Sequence, residues 1–173
     1  MKATLRACHL GVLVLAPVFL PAQELDFSFD DVEKFEDFTL HENESASDAE
    51  IIFGRELKLY WQRRLSKLLP EGWTLDLHFT DIDMAGQMQP MRTPTQQWTR
   101  VYTDYFPPRL MFDYKILNEE GEEVESGHEK LLDKNHDFGG SGKMARVEFV
   151  FAYELETLRK WLADKELVRP PSD

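Results

Sequence analysis

Residues 73–86 read Trp-Thr-Leu-Asp-Leu-His-Phe-Thr-Asp-Ile-Asp-Met-Ala-Gly. Leu75, Leu77 and Phe79 alternate with Asp76, His78 and Thr80, the period-two pattern of a strand with one apolar and one polar face. The alternation then stops. Thr80-Asp81-Ile82-Asp83 sets two carboxylates two residues apart at the strand's end, and Ala85-Gly86 follows as a flexible exit. The rest of the chain reads as a frame around this strand. Thr80, Asp81, Asp83, Met84 and Gly86 are therefore the candidate binding residues.

On the N-terminal side, Phe53, Leu57, Trp61, Leu65 and Leu68 recur every three or four residues, which predicts a helix ending at Pro70-Glu71-Gly72. Ser47 or Asp48 is its expected N-cap. Arg55, Lys58, Arg63, Arg64 and Lys67 give this helix a basic outer surface, read as a solvated face that balances acidic loops in preference to a docking surface for an acidic partner. Upstream, Leu25, Phe27 and Phe29 alternate with Asp26, Ser28 and Asp30 in a first short strand. Val32 to Ser47 lacks a sustained period and reads as a loop, tacked to the core by Phe35 and Phe38. Asn43-Glu44-Ser45 fits the N-glycosylation triplet, a weak match.

On the C-terminal side, Met84 to Trp98 crowds Met84, Met88 and Met91 with prolines and four glutamines, and shows neither helix nor strand period. It reads as a long loop of the kind that is often functional. Thioethers can bind copper, but without a cysteine or a tight Met-x-Met repeat the methionines read as gap-fillers. Arg100 to Tyr105 alternates weakly, and Leu110, Phe112, Tyr114 and Ile116 mark a clear strand. Asn118 to Gly121 forms a turn, and Glu123 to Leu132 returns antiparallel. A second long loop, Asp133 to Lys143, ends in Gly139-Gly140-Ser141-Gly142-Lys143. It resembles a phosphate loop, but Met144 stands where Ser or Thr is required, which excludes that reading. Val147, Phe151, Leu155, Leu158 and Leu162 stripe a final helix, and Pro170-Pro171 stops it. The order of elements predicts an α+β two-layer sandwich: a mostly antiparallel sheet of about five strands with two helices on one face, in which the first two strands form one parallel pair.

The first 22 residues read as an address. Lys2 and Arg6 precede an apolar run from Leu10 to Leu20, and Pro21-Ala22 offers a cleavage site, the pattern of a secretory signal peptide. The run is about half the ~20 residues a spanning helix needs, so no stable membrane anchor is expected after cleavage. Residues 23–173 are then expected to form one domain. Cys8 leaves with the peptide, so neither disulfides nor thiolate chemistry would hold or serve the remainder. The chain carries a net charge of −12, or about −14 once Lys2 and Arg6 are removed. That balance argues against nucleic acid and anionic lipid as partners. It permits a cationic partner or a divalent metal.

The chemistry on offer is sparse. No Gly-x-Ser-x-Gly elbow occurs. Ser126 and His128 share a strand face, where neighbours seldom reach nucleophile–base geometry. A metal site has more to draw on: His78, Asp81, Asp83 and His128 are its candidate ligands, with Glu129 or His136 nearby. Oxygen ligands would suit calcium or manganese, and added imidazoles zinc. Strand-end aspartates also cap amides and start turns, and that structural reading is the favoured one.

Phe38-Thr39, Leu69-Pro70-Glu71-Gly72, Thr80-Asp81-Ile82-Asp83-Met84-Ala85-Gly86, Pro108-Arg109-Leu110 and Tyr153-Glu154 resemble the pattern of an uncharacterised family of exported bacterial proteins, domain-of-unknown-function family three thousand and sixteen. Met84 stands where that pattern would carry leucine, a swap that keeps apolar volume. The resemblance implies a bacterial, Gram-negative envelope location and brings no activity or catalytic residue with it. The sequence thus leads to an exported periplasmic or secreted protein, non-enzymatic, whose Asp81 to Met91 edge binds an envelope protein or a small ligand. Its rival is a metal-binding protein or metal-dependent hydrolase centred on Asp81 and Asp83.

Overall fold

A computed structural model describes residues 22–90, 98–134 and 148–168. Residues 1–21 of the expected signal peptide, Met91, His136, the glycine-rich stretch 139–143 and Val147 lie outside the described residues. Among the described residues six strands and two α-helices follow one another: β1 (Glu24–Phe29), α1 (Ala46–Tyr60), β2 (Thr74–Asp83), β3 (Gln87–Pro90), β4 (Trp98–Val101), β5 (Arg109–Leu117), β6 (Glu123–Leu132) and α2 (Ala152–Asp164). The main sheet runs β1-β2-β5-β6, with β1 and β2 parallel and the other pairs antiparallel. This is the expected α+β sandwich.

Two local expectations are corrected. The N-cap of α1 is Ser45, not Ser47 or Asp48: Ser45 Oγ accepts from the Asp48 amide while Asp48 reaches back to the Ser45 amide, a reciprocal capping box. The sequence from Met84 to Trp98 is also not a plain loop. β3 lies within it and pairs with β4 as a separate two-stranded sheet. Its Gln-Met-Gln-Pro sequence lacks the β-branched residues that announce a strand, so the pairing is set by tertiary context.

The core is one layer of side chains between sheet and helices. Leu75, Leu77, Phe79 and Ile82 of β2 and Leu110, Phe112, Tyr114 and Ile116 of β5 are buried. Phe53 of α1 meets Phe79 edge-on at 5.4 Å, and Trp161 of α2 meets Phe112 at 5.0 Å, so both helices cover the same sheet face. Phe38 is buried and Phe35 packs against the core, as the loop's isolated aromatics suggested.

The halted alternation in β2 is a β-bulge. Phe79 pairs with Phe112 and Asp81 with Met111, leaving Thr80 as the extra residue. Before it, odd-numbered residues face the helices; after it, Ile82 does so. Asp81 and Asp83 are thereby turned to the open face, beside Met111 and Arg109 of β5.

Candidate functional site

The bulge delivers Asp81 and Asp83 to one guanidinium. Arg109 Nη2 donates to Asp81 Oδ2 at 2.9 Å and to Glu36 Oε2 at 2.5 Å, and stands 3.6 Å from Asp83 Oδ2. Asp81 Oδ1 in turn accepts from the Glu36 amide at 2.9 Å. A second guanidinium completes the clamp. Arg100, on β4, is almost wholly buried and makes a bidentate pair with Asp37 at 2.8 and 3.0 Å, and it donates to the Thr39 carbonyl at 2.8 Å. The segment between β1 and α1 is thus tied down onto the end of β2, with Asp37 held at a φ of 42°.

The turn after β2 is fixed from below. Met84 is buried, and its amide donates to the Asp37 carbonyl at 3.4 Å. The Ala85 amide donates to Glu154 Oε1 at 2.7 Å, and Glu154 is a buried carboxylate on α2. Gly86 adopts a φ of +82°, and its amide donates to the Phe106 carbonyl at 2.8 Å. A Cβ there would lie 2.7 Å from the Val101 carbonyl oxygen, so both the turn and the close approach require glycine.

These elements surround a cleft of about 440 Å³, whose lining includes Glu36, Asp37, Asp83, Gly86, Tyr105 and Arg109. Tyr105 is 89% exposed at its rim. Glu36, Asp37 and Asp83 line the cleft with Arg109 and Lys130, and Asp81 and Arg100 stand behind them, so four carboxylates meet three cations and the cleft holds a small surplus of negative charge. Asp83 bears the consequence. Partial burial, opposed by Arg109 and reinforced by the carboxylates of Glu36, Asp37 and Asp81, pushes its pKa up to about 6. Glu154, desolvated more completely, is pushed up to about 7.

Of the binding candidates, Asp83 and Gly86 line the cleft. Asp81 braces it through Arg109, Met84 lies beneath it, and Thr80 forms the bulge, its hydroxyl oxygen without a partner among the described residues. The metal candidates are dispersed. His78 Nδ1 lies 2.9 Å from Ser28 Oγ and its Nε2 lies 3.2 Å from Asp30, while His128 Nδ1 lies 2.8 Å from Asp113. His78, Asp113 and His128 sit in one register row on the open face, away from the Arg109 pairs of Asp81 and Asp83. Among the described residues no group of three or more His, Asp or Glu side chains could hold a metal ion.

Arg100, Arg109, Glu36, Asp37 and Tyr105 were missed as site residues. Arg109 and Glu154 had a signal: both fall inside short segments that carry the family resemblance, and Glu154 lies next to the apolar stripe of a helix. Arg100 and Asp37 had none, because only the fold joins residues 63 positions apart.

A family model described as a protein of unknown function, DUF3016, matches residues 23–164. No curated protein matches the chain. Among solved structures, the crystal structure of a minor lipoprotein from Acinetobacter baumannii aligns over 82% of this chain and 93% of its own, at 8% identity and a TM-score of 0.30, a likeness too distant to bear on function. Among the described residues, no helix is long and apolar enough to cross a membrane.

Proposed function

The chain belongs to the DUF3016 family of proteins of unknown function, and from that premise we propose that it is an exported, non-enzymatic binding protein of the bacterial envelope, with residues 23–173 as one domain. The observation that carries the binding reading is the cleft at the end of β2, where Asp83 has only a long 3.6 Å pair to an Arg109 that also serves Glu36 and Asp81, beside an exposed tyrosine. Such a cleft suits a ligand or a partner side chain that brings positive charge, because it would relieve the carboxylate surplus and could rest on the ring of Tyr105. Export is supported by the basic and apolar run of residues 2–20. The non-enzymatic reading is supported by the lack of a nucleophile elbow in the sequence.

The test is in the intact envelope. A photo-crosslinking residue at position 105 should capture one discrete partner, and Asp83→Lys, which fills the cleft with the protein's own ammonium, should abolish capture. Capture undiminished by Asp83→Lys overturns the cleft as the binding site. Hydrolysis of an envelope substrate by the pure protein, lost in Asp81→Ala, overturns the non-enzymatic reading.

A further inference from the structure

We propose that the outer edge of β1 and the groove between β1 and α1 receive an extended segment of a partner protein as an added strand, and that this segment alternates apolar with basic side chains. The surface is distinct from the cleft and does not depend on it.

β1 is a rim strand of the main sheet. Its ladder to β2 uses the even-numbered residues: the Glu24 amide donates to the Trp73 carbonyl at 3.0 Å and the Asp30 amide to the Phe79 carbonyl at 2.9 Å. In a parallel ladder the bonding direction alternates, so the amides and carbonyls of Leu25, Phe27 and Phe29 point away from the sheet. Those groups find no partner among the described residues. An open row of this kind is a template for a further strand.

The helix layer already extends past that edge. α1 crosses Phe27 at Gly54, where a Cβ would lie 3.1 Å from the ring, and the close approach opens a groove of about 650 Å³ outside β1. Ile51 and Leu59 line it with Phe27 and Phe29, yet Ile51 is 71% exposed and Leu59 40%. They are apolar side chains on α1 with no strand beneath them. A strand added about 4.8 Å beyond β1 would place its helix-facing side chains in this groove. Acidic residues on an edge can serve simply to repel other strands; that role leaves the exposed Ile51 and Leu59 unexplained.

Charge decides the sequence of the occupant. The open face of β1 carries Glu24 and Asp26, with Asp30 just beyond the strand's end beside His78, so the added strand's outward side chains should be basic. Arg55 and Lys58 stand on the groove's helix wall, with Lys58 Nζ 5.4 Å from the centre of the Phe27 ring. They outnumber Glu50, which lines the same groove, and so disfavour further positive charge on the groove side, where apolar residues belong. A second copy of this chain fits poorly: antiparallel pairing of two β1 strands about Phe27 would oppose Glu24 to Asp30 at both ends.

The test titrates the purified protein at physiological salt with two synthetic octapeptides, one alternating lysine with valine and one alternating glutamate with valine. Amide exchange of Leu25, Phe27 and Phe29 is followed by NMR. The lysine peptide should slow exchange at these three amides by about tenfold or more and bind at least about tenfold tighter than the glutamate peptide. Ile51→Asp, a change at an exposed position, should weaken that binding by about tenfold. Equal binding of both peptides, no slowing at the three amides, or an unaffected Ile51→Asp variant overturns the proposal. So does protection of the same amides that grows with protein concentration alone, which would assign the edge to a second copy. Capture by anionic vesicles that is lost in Ile51→Asp would assign it to a lipid surface and overturn the proposal equally.

Discussion

Arg109 holds Asp81 at 2.9 Å and leaves Asp83 at 3.6 Å, so one guanidinium neutralises the first aspartate of the Thr-Asp-Ile-Asp segment and only partly satisfies the second. The two carboxylates lie on the open face of the strand, and not on the core face, because Thr80 is bulged out between them and Phe79. Their roles differ as a result. Asp81 fastens the Glu36 segment, and Asp83 is left facing the cleft.

Replacing Arg109 should cost more than replacing either acid. The side chains of Arg109 and Asp81 are each only about a fifth exposed, and removal of the cation leaves Glu36, Asp81 and Asp83 repelling one another. Arg109→Ala should lower stability by about 2 kcal/mol, and Arg109→Lys should recover part of it, since an ammonium cannot serve several carboxylates in one plane. Urea denaturation of the variants measures both.

The raised pKa of Asp83 makes stability fall as pH rises. An acid whose folded pKa lies above its unfolded value contributes stability that is complete below the unfolded pKa, near 3.8, and lost as pH climbs through about 6. Glu154 adds a second loss ending near pH 7. Asp83→Asn should therefore stabilise the protein by about 1–2 kcal/mol at pH 8 and be nearly neutral at pH 4. Melting curves across that range should converge at the acid end; a constant gap between variant and parent would rule the linkage out.

Gly86→Ala should destabilise by about 2 kcal/mol or more. The new methyl would press on the Val101 carbonyl at 2.7 Å with φ at +82°, and backbone oxygen cannot swing aside as a side chain can. The cleft should loosen with it, because Gly86 lines the cleft and its amide holds the Phe106 carbonyl. Faster amide exchange at position 86 in the variant than in the parent, with β5 unchanged, would report this.

Chelation, and addition of calcium, zinc, manganese or copper, should leave the melting temperature unchanged. A ligand bound only by the folded state at about 100 times its dissociation constant would raise stability by roughly 2.7 kcal/mol, a shift of several degrees. His78→Ala and His128→Ala, at exposed pairs with Asp30 and Asp113, should each change stability by less than about 0.5 kcal/mol.

The fold was legible where hydrophobic period speaks directly. The alternations of β2 and β5 bury the residues they mark, as do Phe53 and Leu57 of α1 and Leu155, Leu158 and Leu162 of α2, while Leu25, Phe27 and Phe29 of the rim strand β1 are part-buried against the core. Even the bulge was visible, as the point where Leu75, Leu77 and Phe79 give way to Ile82 instead of residue 81. β3 was not, because Gln87 to Pro90 owes its conformation to Trp98–Val101 and not to its own side chains. The site was half legible for a related reason. Asp81, Asp83 and Gly86 announce themselves in one segment, whereas Arg100, Glu36 and Asp37 matter only through pairings between distant parts of the chain, which local pattern cannot register.

Thr80 also fixes how this site can change over time. Asp81 and Asp83 face out and Ile82 in because the bulge takes Thr80 out of the ladder, so their placement rests on that one residue staying unpaired. Deleting Thr80 would join Phe79 to Asp81 in unbroken alternation, with both aspartates still outward and Ile82 still in the core, whereas drawing Thr80 into the ladder would swing both aspartates into the apolar layer and push Ile82 into water. Substitutions can retune the carboxylates one at a time, but no series of them moves the site along the strand. Variation in this region should therefore tolerate loss of Thr80 while the Asp81-Ile82-Asp83 spacing is held constant.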